Sequence, residues 1–324
     1  MRAVLCKAYG PPESLVIEDV PSPVPGPGEV VLSVKAASVN FPDTLIIQNK
    51  YQTRPPLPFS PGSECAGVVK TVGEGVTRVR PGDPVMAVTT YGSFAEEVMT
   101  PESRLLAIPP GMDFQTASAF TLTYGTSAHA LVDRGELKSG ETLLILGASG
   151  GVGLAAVEIG KALGARVIAC ASTGDKLAVC EEHGADELIN YTTQDLRERI
   201  KGITNGEGVD VVYDAVGGPY SELALRSTRW RGRFLVVGFA SGEIPKIPLN
   251  LTLLKGCSIV GVFWGDFVKR QPEQFAALMQ QLSEWYQLGR LKPYVSETLP
   301  LERAAEALTL MASRKVKGKL VLTM

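Results

Sequence analysis

The stretch GASGGVG, residues 147–153, closes one apolar run, LLIL (143–146), and opens another, LAAVEIG (154–160). A strand that ends in a glycine-rich turn and continues as a helix is the setting in which backbone amides receive a pyrophosphate at a helix N-terminus. The literal G-x-G-x-x-G spacing is not met. Glycines stand at 147, 150, 151 and 153, with Ser149 where a second glycine would fall. The physical requirement survives, because residues without bulky side chains let the Ser149, Gly150, Gly151 and Val152 backbone approach a ligand. A strand-to-helix turn packed tightly for structural reasons would use the same glycines, so the surrounding sequence must decide.

Downstream, apolar strand-like runs alternate with helical segments: TLLILGA (142–148), RVIACAS (166–172), ELIN (187–190), VDVVYDAV (209–216), RFLVVGFA (233–240) and SIVGVFW (258–264), separated by GLAAVEIGKALG, GDKLAVCEEHG, TQDLRERIKGI and SELALRSTRW. This alternation predicts a doubly wound parallel sheet. Upstream, to about residue 122, the runs are short and broken by Pro and Gly, as in EVVLSVKAASV (29–39), CAGVVKTVGEGV (65–76) and DPVMAV (83–88), which suits an irregular β-barrel. After residue 264 come a helix around PEQFAALMQQLSEWYQLG, an extended LKPYVSETLPL, a helix ERAAEALTLMASR and a final GKLVLTM.

The second strand of the alternating region specifies the nucleotide. An NAD site usually carries a carboxylate there, to accept from the ribose 2′-hydroxyl. Here the strand ends in Ser172, with Lys176 soon after. A hydroxyl and an ammonium donate to a 2′-phosphate, so the pattern predicts NADPH. Tyr191, after the third strand, is placed to lie against the same adenosine end. The plainer alternatives are a solvated first-turn lysine and a strand-end aromatic.

Charge and cysteine usage exclude other classes. The chain of 324 residues, enough for about two domains, carries 32 Lys and Arg against 34 Asp and Glu, a formal charge of −2, with no basic footprint for nucleic acid. No apolar stretch approaches the roughly 18 residues that suggest a membrane span, and no secretory leader is evident. A cytoplasmic protein without nucleic-acid or membrane partners is expected. Five widely spaced cysteines without a Cys-x-x-Cys, and only His129 and His183, disfavour both a disulfide framework and a zinc site.

The succession VKAASVNFPDTLIIQNKYQTRPPLPFSPGSECAGVV (34–69), LTYGTSAHAL (122–131), LLILGASGGVGLAAVEIGKALGARVIA (143–169) and GKLVL (318–322) resembles the medium-chain dehydrogenase/reductase superfamily over essentially the whole chain. The likeness is nearest to its zinc-free quinone oxidoreductase branch, with 2-enoyl thioester reductases as near relatives. It implies a GroES-like catalytic domain over 1–123 and 268–324, which builds the substrate side, and a Rossmann NADP-binding domain over 124–267. Zinc-dependent alcohol dehydrogenases of the superfamily carry cysteine at Asn40 and histidine at Ser63, so the resemblance implies no metal here.

By the same resemblance, Tyr51 orients the acceptor carbonyl or protonates the enolate; a loop tyrosine covering the mouth of the site is the alternative. Asn40 belongs near the nicotinamide ribose, although it also suits the turn at Phe41-Pro42. Thr123 and Thr126 line the nicotinamide side. Phe239, Ser241, Phe263 and Trp264 follow strand ends where a doubly wound fold binds its ligand. Arg314 and Lys319 resemble cofactor contacts of one branch or the other, against the alternative of a solvated basic cluster. The implied activity is NADPH-dependent hydride delivery to a quinone or other conjugated carbonyl. Reduction of enoyl thioesters is the alternative, and an NADPH-binding sensor or structural protein with little turnover is the alternative from another class. A homodimer is implied through the strand near SIVGVFW.

Overall fold

The computed structural model describes residues 1–324. The strands are β1 (Arg2–Leu5), β2 (Val16–Asp19), β3 (Glu29–Val39), β4 (Glu64–Val72), β5 (Pro84–Val88), β6 (Glu97–Pro101), β7 (Leu105–Ala107), β8 (Thr142–Leu146), β9 (Arg166–Ala171), β10 (Glu187–Asn190), β11 (Val209–Asp214), β12 (Thr228–Val236), β13 (Ser258–Gly261), β14 (Val295–Pro300) and β15 (Lys319–Thr323). The helices are α1 (Phe41–Ile46), α2 (Phe114–Ser118), α3 (Thr121–Ala128), α4 (Gly151–Ala162), α5 (Gly174–Glu182), α6 (Leu196–Ile203), α7 (Pro219–Arg226), α8 (Asn250–Lys255), α9 (Trp264–Arg270), α10 (Pro272–Gln287) and α11 (Ala304–Ala312).

Two compact units form, one of residues 1–122 with 293–324 and one of residues 123–292. In the first, the long β3 pairs antiparallel with β4 over Val30–Ala37, with β6 over Glu29–Ser33 and with β15 over Ala36–Val39. Since a strand has two edges, β6 and β15 share the edge opposite β4. Register shifts between β3 and β4 bend the pair. The sheet, in the order β14-β15-β3-β4-β5-β7, encloses a core that includes Leu32, Val34, Phe94, Leu320 and Leu322.

In the second unit the order is β10-β9-β8-β11-β12-β13, all parallel. Renumbered within the unit this is 3-2-1-4-5-6, the Rossmann order expected from the alternating pattern. Burial on both faces explains the continuous apolar runs, and Leu143–Leu146 are fully buried in the central β8.

Two boundaries differ from expectation. The chain returns to the first unit at Pro293 rather than at 268, because α9 and α10 pack within the second unit. The Phe275 ring lies 6.0 Å from Trp264 and 6.4 Å from Phe267, and Leu278, Met279, Leu282 and Trp285 are buried. Thr228–Trp230, read as helical in SELALRSTRW, instead begins β12. Thr228 pairs with Val209, a bulge intervenes with Arg231 at φ +62°, and pairing resumes at Arg233 with Val211. No helix is long and apolar enough to cross a membrane.

Candidate functional site

The glycine turn divides its duties among its members. Gly147 has φ +70°, the left-handed region that favours glycine. A Cβ on Gly153 would lie 2.2 Å from the Gly147 carbonyl oxygen, so this position sets how closely α4 approaches the end of β8. A Cβ on Gly150 would meet nothing nearer than 3.6 Å, so packing leaves that position open. Gly150 is the N-cap of α4 without a side-chain cap. The Gly151, Val152 and Gly153 amides at the start of this 12-residue helix have no partner one turn earlier and suit an anion. Ser149 is buried in the turn. The helix is anchored from behind, where Ser127 Oγ donates to the Val152 carbonyl at 2.7 Å and lies 2.9 Å from the Tyr213 hydroxyl.

At the end of β9, Lys176 Nζ donates to Ser172 Oγ at 3.4 Å, so the two residues expected to read a 2′-phosphate stand together. Tyr191 follows the adjacent β10, and its ring lies 4.4 Å from that of Tyr220. Phe239 is exposed, and Ser241 Oγ bonds the Glu243 carbonyl in the same loop. Thr123 is buried and Thr126 half-buried on α3. Phe263 is 58% exposed at the start of α9, whereas the Trp264 indole is tucked in, with Nε1 buried and unpartnered against Gly125.

The first unit carries a buried polar cluster at the junction of β3, α1, β4 and β15. Asn40, the N-cap of α1, donates its backbone N–H to Asp43 Oδ2 at 2.7 Å. Its carboxamide oxygen accepts from Lys319 Nζ at 2.5 Å, and its Nδ2 donates to Glu64 Oε1 at 3.1 Å and Ser38 Oγ at 3.2 Å. Glu64 Oε2 accepts from the Leu122 N–H at 2.9 Å. Burial pushes the Asp43 carboxyl up to about 7 against the opposing pull of the Asn40 N–H and Lys319. Burial also lowers the Lys319 ammonium, against the attraction of Glu64. Tyr51, half-buried, is held above its ordinary value by burial and then by the charge of Asp43.

Lys319 therefore departs from the solvated alternative. It is 5% exposed, with its ammonium bonded inside the first unit. The physical reason is the pairing of β15 with β3, which seats Lys319 beside Asn40. Arg314 lies exposed just beyond α11 at φ +58°. Sequence reasoning missed Asp43, although an Asn and an Asp three positions apart at a helix start are half of a capping-box signal. It also missed Asp214, which accepts from the Val216 and Gly217 N–H groups and from Ser221 Oγ at the end of β11. No group of three or more His, Cys, Asp or Glu side chains is placed to hold a metal ion.

Comparison with known proteins agrees with this architecture. Residues 26–110 match the alcohol dehydrogenase GroES-like domain, and residues 151–284 match the zinc-binding dehydrogenase family. A quinone oxidoreductase-like protein 2 homolog of Nematostella vectensis is 39% identical over 99% of this chain and 88% of its own. The chain belongs to the medium-chain dehydrogenase/reductase family. Within this family, the quinone oxidoreductase of Escherichia coli, solved in complex with NADPH, is 30% identical with a TM-score of 0.93, covering 100% of both chains. The CurK enoyl reductase structure is 28% identical with a TM-score of 0.90, covering 100% of this chain and 99% of its own. The match to a zinc-binding family carries the fold but not the ligand types, since Asn40 and Ser63 offer neither thiolate nor imidazole at the two resembling positions.

Proposed function

We propose that the protein is an NADPH-dependent, zinc-independent reductase of quinones or related conjugated carbonyls. The observation that carries this reading is the pairing of Lys176 with Ser172 beside the open glycine turn, where a hydroxyl and an ammonium suit a 2′-phosphate. The E. coli quinone oxidoreductase solved with NADPH supports the same cofactor. Gly151 and Val152 hold the pyrophosphate through their amides, and Gly150, whose own N–H bonds the Gly147 carbonyl, lets the backbone come close to it. Thr123, Thr126 and Asn40 orient the nicotinamide end, and Phe239, Ser241, Phe263 and Trp264 border it.

When bound, NADPH supplies the hydride. The chain must then stabilise the charge that develops on the acceptor oxygen. Tyr51 is assigned that task. Its phenol stays protonated at neutral pH, held there by burial and by Asp43, and donates a hydrogen bond or a proton to the oxygen. Enoyl thioester reduction is a second reading, favoured by the likeness to the CurK enoyl reductase. The homodimer belongs to this proposal too. The edge strand β13 is accompanied by exposed Ile259, Leu249, Leu253, Leu254 and Trp230, an apolar patch that a second copy of the chain would cover. We infer a cytoplasmic setting from the composition.

The deciding experiment is the spectrophotometric loss of NADPH with a 1,4-quinone and, separately, with crotonyl-CoA. Faster turnover of the quinone is expected. Preference for crotonyl-CoA would select the second reading, and tight NADPH binding without turnover of either would leave a cofactor-binding sensor in place of an enzyme.

A further inference from the structure

The Lys319 ammonium has three N–H donors, and three acceptors take them: Asn40 Oδ1 at 2.5 Å, the Val39 carbonyl at 3.3 Å and Glu64 Oε1 at 3.3 Å. It has no proton left for a ligand. The Asn40 carboxamide lies between this ammonium, which can only donate, and the Glu64 carboxylate, which can only accept. Which end of the amide is oxygen and which is nitrogen is therefore fixed by charge on both sides.

We propose that Lys319 is a positioning residue: it and Glu64 lock the Asn40 carboxamide in the single orientation in which Asn40 meets the nicotinamide end of the cofactor. This rests on the reading of Asn40 as a cofactor contact. Burying a charged pair is a poor route to stability, since well-packed apolar replacements are often as stable, so the pair makes more sense as a device for orientation. Of the other groups around Asn40, the Ser38 and Ser63 hydroxyls would tolerate either amide orientation, and the Ser38 carbonyl, which can only accept, is reached by Nδ2 at 3.4 Å. Without the two charges, that long bond to the Ser38 carbonyl is a weak hold on the orientation of the carboxamide.

The test is a mutant cycle read as NADPH affinity by calorimetry, with thermal melting as the folding control. Lys319→Met is combined with N40A. Because Lys319→Met leaves Glu64 uncompensated, E64Q/K319M is made in both backgrounds as the charge-neutral version. Loss of the pair is expected to weaken NADPH binding about tenfold when Asn40 is present and less than about twofold when it is Ala, the non-additivity of residues that act through one another. Equal loss in both backgrounds, or none in either while N40A itself weakens binding, overturns the proposal. Unchanged affinity in N40A alone would instead remove Asn40 as a cofactor contact, and the positioning role with it. A readout on the unmutated protein needs no folded variant. The Asn40 side-chain NH2 resonance should exchange slowly with solvent, and exchange at the rate of an exposed amide overturns the lock.

Discussion

The Tyr124 hydroxyl donates to Glu158 Oε2 at 2.7 Å, and that same oxygen accepts the Lys292 N–H at 2.9 Å. The other carboxylate oxygen lies 2.5 Å from His183 Nδ1. Glu158 is 4% exposed in the middle of α4, so one buried carboxylate ties the helix behind the glycine turn to α3, to the end of α5 and to the segment that leaves the second unit.

Removing one donor from this carboxylate should cost less than removing the carboxylate. Tyr124→Phe is expected to lower unfolding free energy by about 1.5–3 kcal/mol, the range for hydrogen bonds to charged groups. Glu158→Ala strands the phenol, the amide and the imidazole together, and a loss larger than that of Tyr124→Phe is expected. Urea unfolding of both variants checks the order, and equal losses would show that the carboxylate is not the hub.

The glycines of the turn should separate folding from binding. Gly153→Ala places a methyl 2.2 Å from the Gly147 carbonyl and should lower the melting temperature markedly. Gly150→Ala meets only ordinary contact at 3.6 Å, at a residue with φ −78°, which alanine adopts freely. It should melt within a few degrees of the parent while binding NADPH about tenfold more weakly, because its methyl intrudes where the backbone must approach the pyrophosphate. Normal affinity in Gly150→Ala would remove that position from the cradle.

Asp43 should imprint a pH dependence on stability. Its carboxyl titrates at about 7 in the folded protein against an ordinary 3.8, so the folded state holds this proton more tightly than the unfolded chain. Stability from this group is therefore full below about pH 4 and is lost as pH rises towards about 7, by an amount on the order of a few kcal/mol. Asp43→Asn keeps an acceptor for the Asn40 N–H and removes the titration. Urea unfolding across this range should show the parent declining relative to Asp43→Asn, and parallel curves would rule the buried carboxyl out as the source.

Local pattern carried much of this molecule, and distant pairing carried the rest. Residues 29–39 and 142–146 became β3 and β8 as read, and Ser172 and Lys176 met because a strand end and the first turn of the next helix are close in sequence. The role of Lys319 was hidden. Its partners Asn40 and Glu64 lie 279 and 255 residues away, and only the pairing of β15 with β3 brings them together. A basic run such as SRKVKGK offers no local sign of which lysine turns inward. The bulge in β12 was hidden for a similar reason: apolar residues at helical spacing in SELALRSTRW continued past the true end of α7. There Gly232 packs tightly against the Asp210 carbonyl, 2.9 Å from where its Cβ would stand.

Lys176 supplies the most direct check on the nucleotide. If its ammonium reads the 2′-phosphate, Lys176→Ala loses one charge-assisted contact of about 1.5–3 kcal/mol, which is roughly ten- to hundredfold in affinity for NADPH. NADH lacks the phosphate, so its affinity should change by no more than about twofold. The preference between the nucleotides, not the absolute affinity, is therefore the quantity to measure, by calorimetry with each in turn. Adding Ser172→Asp should carry the preference further, because a carboxylate beside the ribose repels the phosphate and accepts from the free 2′-hydroxyl. Equal weakening of both nucleotides by Lys176→Ala would mean that the lysine supports the turn without touching the phosphate.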